Sequence, residues 1–398
     1  MSKRYQGGIL GVGFNPLRAP NAPTIGTATA GGNNCASVAF TAPACVGGSA
    51  ITGYTARSEP TGFGAAAAGS PITVTGLTNG ASYTFGAFAL NSYGPSPISA
   101  FSNSITAALD GTLGIFALGC SGGSNIRNKY TYSGCVVSAA TAATTASTSG
   151  SAAGNSTRGI FALGCASFTR VTTRDKYTYV GCVVSAGGAA TCASSQGAAT
   201  GNSTVGIFAL GNTGSFSGTR NKYTYSNDAV AFATSASIQS ARGAGAGTST
   251  FGIFALGANS SGTPTTTRDK YTYSNDSVTS ATASNAAGSY GSAAGNSTAG
   301  IFALGLNNSF SSTTTREKYT YSGCVVASAT AASNASQRGS AAGNGTVGIF
   351  ALGVVSGGPS TIRNKYTYSG DINASAGAAT AASTDGSAAG NGTSGVNI

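Results

Sequence analysis

"GIFALGCSGGSNIRNKYTYSG", residues 114–134, contains both halves of the pattern that sets the fold. The first half, "GIFALG", begins again at Gly159, Gly206, Gly252, Gly300 and Gly348, in steps of 45, 47, 46, 48 and 48 residues. The second half, Arg-x-Lys-Tyr-Thr-Tyr, returns with every copy. Tandem units of roughly 40–50 residues mark propeller blades. Each unit reads as four short strands: a tight "GSAAGN" segment, "GIFALG", the Arg-x-Lys-Tyr-Thr-Tyr strand and a "VVSAATAA" stretch. In a strand, alternate residues share a face. Tyr130 and Tyr132 therefore lie on one face with Asn128, which buries the aromatic rings, while Arg127, Lys129 and Thr131 lie on the other, which carries the charge. In "GIFALG" both faces are apolar, so this strand needs cover on both sides. The Ala/Gly-rich segment suits a crowded inner position.

The ends of the array predict closure. The first unit has no "GSAAGN" before it, and a spare "GSAAGNGTSGVNI" follows the last, at residues 386–398. If that segment supplies the missing strand, six blades close into a ring with few exposed edges. An open β-solenoid is the alternative, and it leaves the complementary ends unexplained.

Composition restricts the chemistry. Only 7% of the 398 residues are charged, against about 25% in an ordinary soluble domain. Gly, Ala, Ser and Thr replace them, so the core must be thin and repetitive. The chain has no His and no Trp. Without imidazole there is no usual base or metal ligand. The acidic residues, Glu59, Asp110, Asp175, Asp228, Asp269, Asp276, Glu317, Asp371 and Asp385, are scattered with no acid/base pair among them. No catalytic residue, cofactor or metal site is expected, and the chain reads as a non-enzyme. No stretch is long and apolar enough for a membrane span, and the N-terminus lacks the form of a signal peptide.

Upstream of the array, residues 17–108 alternate short β-type runs with Pro, Gly and Asn turns, which predicts a β-sandwich. The run "LTNGASY" (77–83) resembles the E–F corner of fibronectin type III domains, with Tyr83 as the corner tyrosine, and "NSYGPSPIS" (91–99) resembles that family's F–G region. The Trp common in the family's second strand is absent. The array is similar in outline to kelch-like repeats, though without their double glycine and Trp, and to GIFALG/KYTYS arrays of phage and bacterial proteins. The leader "MSKRYQGGIL" resembles the start of phage virion proteins of the tail, neck or fibre class. The expected organisation is a leader (1–16), a fibronectin type III-like sandwich (17–108) and a six-bladed β-propeller (109–398).

These resemblances imply a structural virion appendage of a tailed phage, docked through residues 1–16 to other virion proteins, oligomeric in the particle, and extracellular after host lysis. The alternative is a carbohydrate-binding adhesin that recognises host cell-surface polysaccharide. Candidate contacts for an acidic partner or glycan are the basic pairs Arg127/Lys129, Arg174/Lys176, Arg220/Lys222, Arg268/Lys270, Arg316/Lys318 and Arg363/Lys365. The competing reading lays their stems over the next blade. The tyrosines could stack on sugars, or simply pack the core. The loops 212–219 and 306–315 are further glycan candidates. Nothing else in the chain offers a nucleic-acid platform. Cys135, Cys182 and Cys324 share one repeat position with Asp228, Asp276 and Asp371; Cys120 and Cys165 share another. With Cys35, Cys45 and Cys192 they are candidates for disulfides or cross-links, or remain thiols. Pairing Cys120 with Cys135 is disfavoured, since they fall at opposite ends of a strand. The Asn-x-Ser/Thr matches read as products of composition.

Overall fold

The computed structural model describes residues 17–30, 35–78, 81–107, 112–120 and 122–391. The leader and residues 392–398 lie outside the described residues. The chain forms two units, Met1–Leu109 and Asp110–Ile398, and both are built from antiparallel β-structure.

In the N-terminal unit one sheet joins Thr24–Ala30, Ala36–Thr41 and Ile72–Val74. The other orders Gly64–Ala67, Gly53–Glu59, Ser82–Asn91 and Gly94–Pro95, with Ile105–Thr106 also on Ser82–Asn91. Alternation produces the core: Ala36, Val38 and Phe40 point inward from one strand, and Tyr83, Phe85, Ala87 and Ala89 from another. The Tyr83 hydroxyl accepts a hydrogen bond from the Thr78 N–H at 3.2 Å, tying the strand back to the turn before it.

The C-terminal unit is a propeller-like arrangement of six four-stranded sheets. The second runs Ser151–Gly154, Arg158–Ala162, Arg174–Thr178, Val183–Ala186 from inside to outside. The first sheet draws its inner strand from the far end of the chain: Ser387–Gly390 pairs with Leu113–Ala117, Ala389 opposite Ile115 and Ala388 opposite Phe116. Each innermost strand lies against the innermost strands of the sheets on either side, and the circle is complete.

Packing follows from the two apolar faces of "GIFALG". Phe116 packs with Tyr130 and Tyr132 against Ile349 and Ala342 of the sixth sheet. Ile115, on the opposite face, packs with Ala389 beneath Phe161 and Tyr177 of the second. The same Phe-on-Ile contact recurs at the other four junctions. Close approach explains the first glycine of the motif. A Cβ on Gly159 would sit 3.0 Å from both Ala389 Cβ and the Tyr179 hydroxyl, tighter than packed side chains tolerate.

The arginines complete each junction. Arg127 is 1% exposed; its guanidinium lies over Phe161 of the next sheet, 4.6 Å from the ring centroid, and donates to Asp175 at 2.8 Å. Arg174 meets Phe208 and Asn221, Arg220 meets Phe254 and Asp269, Arg268 meets Phe302 and Glu317, Arg316 meets Phe350 and Asn364, and Arg363 meets Phe116 and Asn128. The acceptor always follows the next Arg in sequence, and it also takes a backbone N–H from the loop behind it, such as Thr144 on Asp175 and Thr380 on Asn128. Where the partner is an amide, burial draws the pKa of Arg174, Arg316 and Arg363 down to about 10.

Asp175→Ala is expected to cost about 3–5 kcal/mol, because it strands a buried cation. Asp175→Asn should cost under about 1.5 kcal/mol, because Asn221 performs the same role one sheet along with a neutral hydrogen bond. Urea unfolding separates the two; equal losses would show that the charge itself is needed.

The "GN" turns also have a structural role, which corrects their reading as a by-product of composition. Asn155 Oδ1 accepts from the Thr157 N–H, the Thr157 hydroxyl and the Arg158 N–H, and its Nδ2 donates to Ser203 O of the next sheet at 3.0 Å. Short polar side chains that bond their own turn are suited to this position.

Candidate functional site

The basic pairs proposed from sequence divide in two. All six arginines are buried at sheet junctions and cannot reach a partner. The alternation argument put them correctly on the face opposite the tyrosines, but stacking covers that face as well. The lysines are half-buried. Lys176 donates to Asp228, and Lys222 to Asp276 at 2.5 Å. Lys365 points at Cys135 Sγ, 3.8 Å away, and Lys270 Nζ lies over the Phe251 ring. Against partial burial, Tyr366, Thr330 and Lys318 together hold the Asp371 carboxyl below its usual range. Lys129 is half-buried like the rest. The tyrosines of the same strands are buried too, which removes them as sugar platforms.

The shared Cys/Asp position belongs to this scaffold. All six residues there adopt left-handed backbone, with φ from 54° to 58°. Tyr223 donates to Asp228 at 2.7 Å. Partial burial works against that carboxylate, yet Lys176 and Tyr223 outweigh it and hold its pKa below the usual range. Cys45, Cys120, Cys135, Cys165, Cys182, Cys192 and Cys324 are free thiols within the chain; Cys35 forms no disulfide. Cys135→Asp should place a carboxylate against Lys365 and Tyr130. A gain of about 0.5–1 kcal/mol is expected for the half-exposed pair, a rise of about 1–4 °C in melting temperature. A fall on thermal unfolding would contradict this account.

One repeat position escapes the scaffold's uniformity. Ser149, Gln196, Arg242, Tyr290, Arg338 and Asp385 occupy equivalent places just before the inner strands, and no chemistry but arginine appears twice. They meet at the axis. The Gln196 N–H donates to Ser149 O, Arg242 to Gln196, Tyr290 to Arg242, Arg338 to Tyr290, Asp385 to Arg338 and Ser149 to Asp385, each at 2.8–2.9 Å. The result is a closed circle of backbone hydrogen bonds. It holds all six residues at φ between 54° and 63°.

Their side chains line a shallow, open depression together with Gly150, Gly197, Gly243, Gly291, Gly339 and Gly386. The Arg242 and Arg338 guanidiniums both lie over the Tyr290 ring, 4.6 and 4.7 Å from its centroid. Arg242 Nε donates to Gln196 Oε1 at 3.3 Å, and Arg338 Nη1 to Asp385 at 3.4 Å. Phe216, from the loop 212–219, stacks under Arg242 at 5.1 Å. That loop therefore supports one of the side chains lining the depression. In the loop 306–315, Phe310 is exposed. The sequence reading missed the axial residues. The signal was present: in an array of near-identical units, this column runs through Ser, Gln, Arg, Tyr and Asp.

Among the described residues no three metal-ligating side chains cluster, and no helix is long and apolar enough to cross a membrane.

No protein-family model matches the chain, and no curated protein does. Among solved structures, domains A168-A170 of titin align over 22% of this chain and 32% of their own at 25% identity, with a TM-score of 0.21 that carries no argument. The structure of YjhT is similar at a TM-score of 0.50 and 10% sequence identity, covering 63% of this chain and 93% of YjhT, a likeness of fold alone.

Proposed function

We propose that the chain is a structural appendage protein of a tailed-phage virion, from the neck, tail or capsid surface. In this reading a fibronectin type III-like sandwich carries a six-bladed β-propeller that works by display and recognition, with no catalysis. The strand order of the N-terminal unit and the Tyr83–Thr78 bond support the first assignment. The six sheets and their shared closing strand support the second. The leader, residues 1–16, would dock the chain to its neighbours in the particle, where it is oligomeric.

One observation carries the functional reading: chemistry is divided within the repeat. The recurring Arg, Phe, Tyr and Asn are consumed in joining sheet to sheet, while a column that runs through Ser, Gln, Arg, Tyr and Asp lies at the axial mouth, beside a variable loop. A rigid ring with variable side chains on display is the arrangement of a recognition platform. Mass spectrometry of purified particles should find the chain, and deletion of residues 1–16 should remove it. Its absence from particles would end this reading.

A second reading, an adhesin for host-surface polysaccharide, is favoured by the polar, open axial depression. A glycan array with the full chain tests it.

A further inference from the structure

The axial circle poses an energetic question. Left-handed backbone disfavours side chains with a Cβ, at a cost on the order of 1 kcal/mol or more for each such residue, and glycine would serve it better. The six positions are nonetheless Ser149, Gln196, Arg242, Tyr290, Arg338 and Asp385. Ring closure uses only their backbone, and Ser, Gln and Asp hold the same conformation as Arg and Tyr. The scaffold therefore gives no reason for an arginine or a tyrosine here.

The side chains are nevertheless organised. Tyr290 fixes two guanidiniums against its ring, and Gln196 reaches its hydroxyl at 3.5 Å. Stacking holds each planar cation by its face and leaves part of its N–H edge for an acceptor such as a carboxylate. Arg242 spends only Nε on the protein, and its Nη groups have no protein acceptor among the described residues. Arg338 Nε is buried and without an acceptor. Around these cations stand groups that recognise hydroxyls: Asp385, Gln196 and Ser149. Asp385 beside Arg338 disfavours an anion without hydroxyls, whereas a sugar acid can donate its hydroxyls to that carboxylate. A neutral sugar would offer the guanidinium edges hydroxyl acceptors but no charge-assisted bidentate partner.

We propose that the axial mouth binds the uronic-acid residue of an acidic polysaccharide, with its carboxylate on Arg242 and Arg338 and its hydroxyls on Asp385, Gln196 and Ser149. This deepens the polysaccharide-binding reading above and rests on it. Because the contact is charge-assisted and solvent-facing, binding weakens as salt rises.

The test titrates the full chain with tetramers of galacturonate, mannuronate and glucuronate, with their carboxyl-reduced forms, and with inorganic sulfate. At least one uronate should bind, its reduced form at least about tenfold more weakly. Arg242→Gln and Arg338→Gln should each weaken it about tenfold or more, a difference of ~1.4 kcal/mol. Gln196 already occupies the same backbone, so both variants should melt within about 2 °C of the parent. Lys129→Gln, on a strand two removed from the innermost one, should leave binding unchanged. The proposal is overturned if no uronate binds, if the reduced forms bind equally, if both Arg variants retain affinity, or if sulfate competes at equal concentration. Array binding to neutral glycans alone would preserve the polysaccharide reading while removing this one, and recovery of the chain in particles is independent of both.

Discussion

Cutting the chain after Asp385 is expected to lower the melting temperature of the C-terminal unit by about 10–20 °C. The cut removes Ser387–Gly390, which pairs with Leu113–Ala117. About four backbone hydrogen bonds are lost, each worth ~1 kcal/mol net. Ala388 and Ala389, both fully buried, add the transfer free energy of their methyl groups, ~0.8 kcal/mol apiece. The Tyr179 hydroxyl loses Gly390 O, its acceptor at 2.9 Å. The sum, ~4–6 kcal/mol, converts at roughly 2–4 °C per kcal/mol for a unit of this size. Leu113–Ala117 would also become an open edge, and self-association should follow. A peptide of residues 386–398 added in trans should recover part of the loss. Thermal unfolding followed by circular dichroism reads the effect, and a shift under about 2 °C would refute closure by this strand.

Alkali should unfold the array sharply above about pH 10. Twelve of the 17 tyrosines lie in the six Arg-x-Lys-Tyr-Thr-Tyr strands, and all twelve are buried. Burial raises the pKa of every one, with Tyr319 pushed up to about 12 and Tyr132, Tyr179, Tyr225, Tyr321 and Tyr368 higher still. A raised pKa means that the folded state holds protons the unfolded chain has released. The stability this contributes is complete below pH 10, the unfolded value, and is lost as pH climbs toward the folded values. Arg174, Arg316 and Arg363 act in the opposite sense. Their folded values near 10 lie below the ordinary 12.5, so rising pH favours the folded state through that window. Burial lowers Arg127, Arg220 and Arg268 as well, so six groups oppose twelve, and the tyrosines prevail. Tyrosinate absorbance should therefore rise in one cooperative step together with loss of β-sheet signal. Gradual ionisation centred near pH 10, with the sheet signal intact, would show that these rings reach solvent without unfolding.

Much of the scaffold was legible in particular residues. The spacing of "GIFALG" marked the units, and the apolar residues on both of its faces required cover on both sides. The Ala/Gly composition of "GSAAGN" indicated a crowded inner strand, and Gly159 against Ala389 is that crowding in atomic form. The unmatched ends of the array led to the pairing of Ser387–Gly390 with Leu113–Ala117. Periodicity could not say what covers each face. For Arg127 it left both a partner contact and a stem laid over the next blade open, because no residue near it in sequence could pair with it. Its partners, Phe161 and Asp175, are one whole repeat away.

By itself, then, the sequence determined the β-strands, their repeat and how their side chains alternate, because these depend on residues two apart or on local turn chemistry. The tertiary structure alone decided which charges are buried and which remain open. Six equivalent positions spread from Ser149 to Asp385 become neighbours only when the ring closes. Closure is a long-range property of the whole chain, and only then do Arg242, Tyr290 and Arg338 form one site.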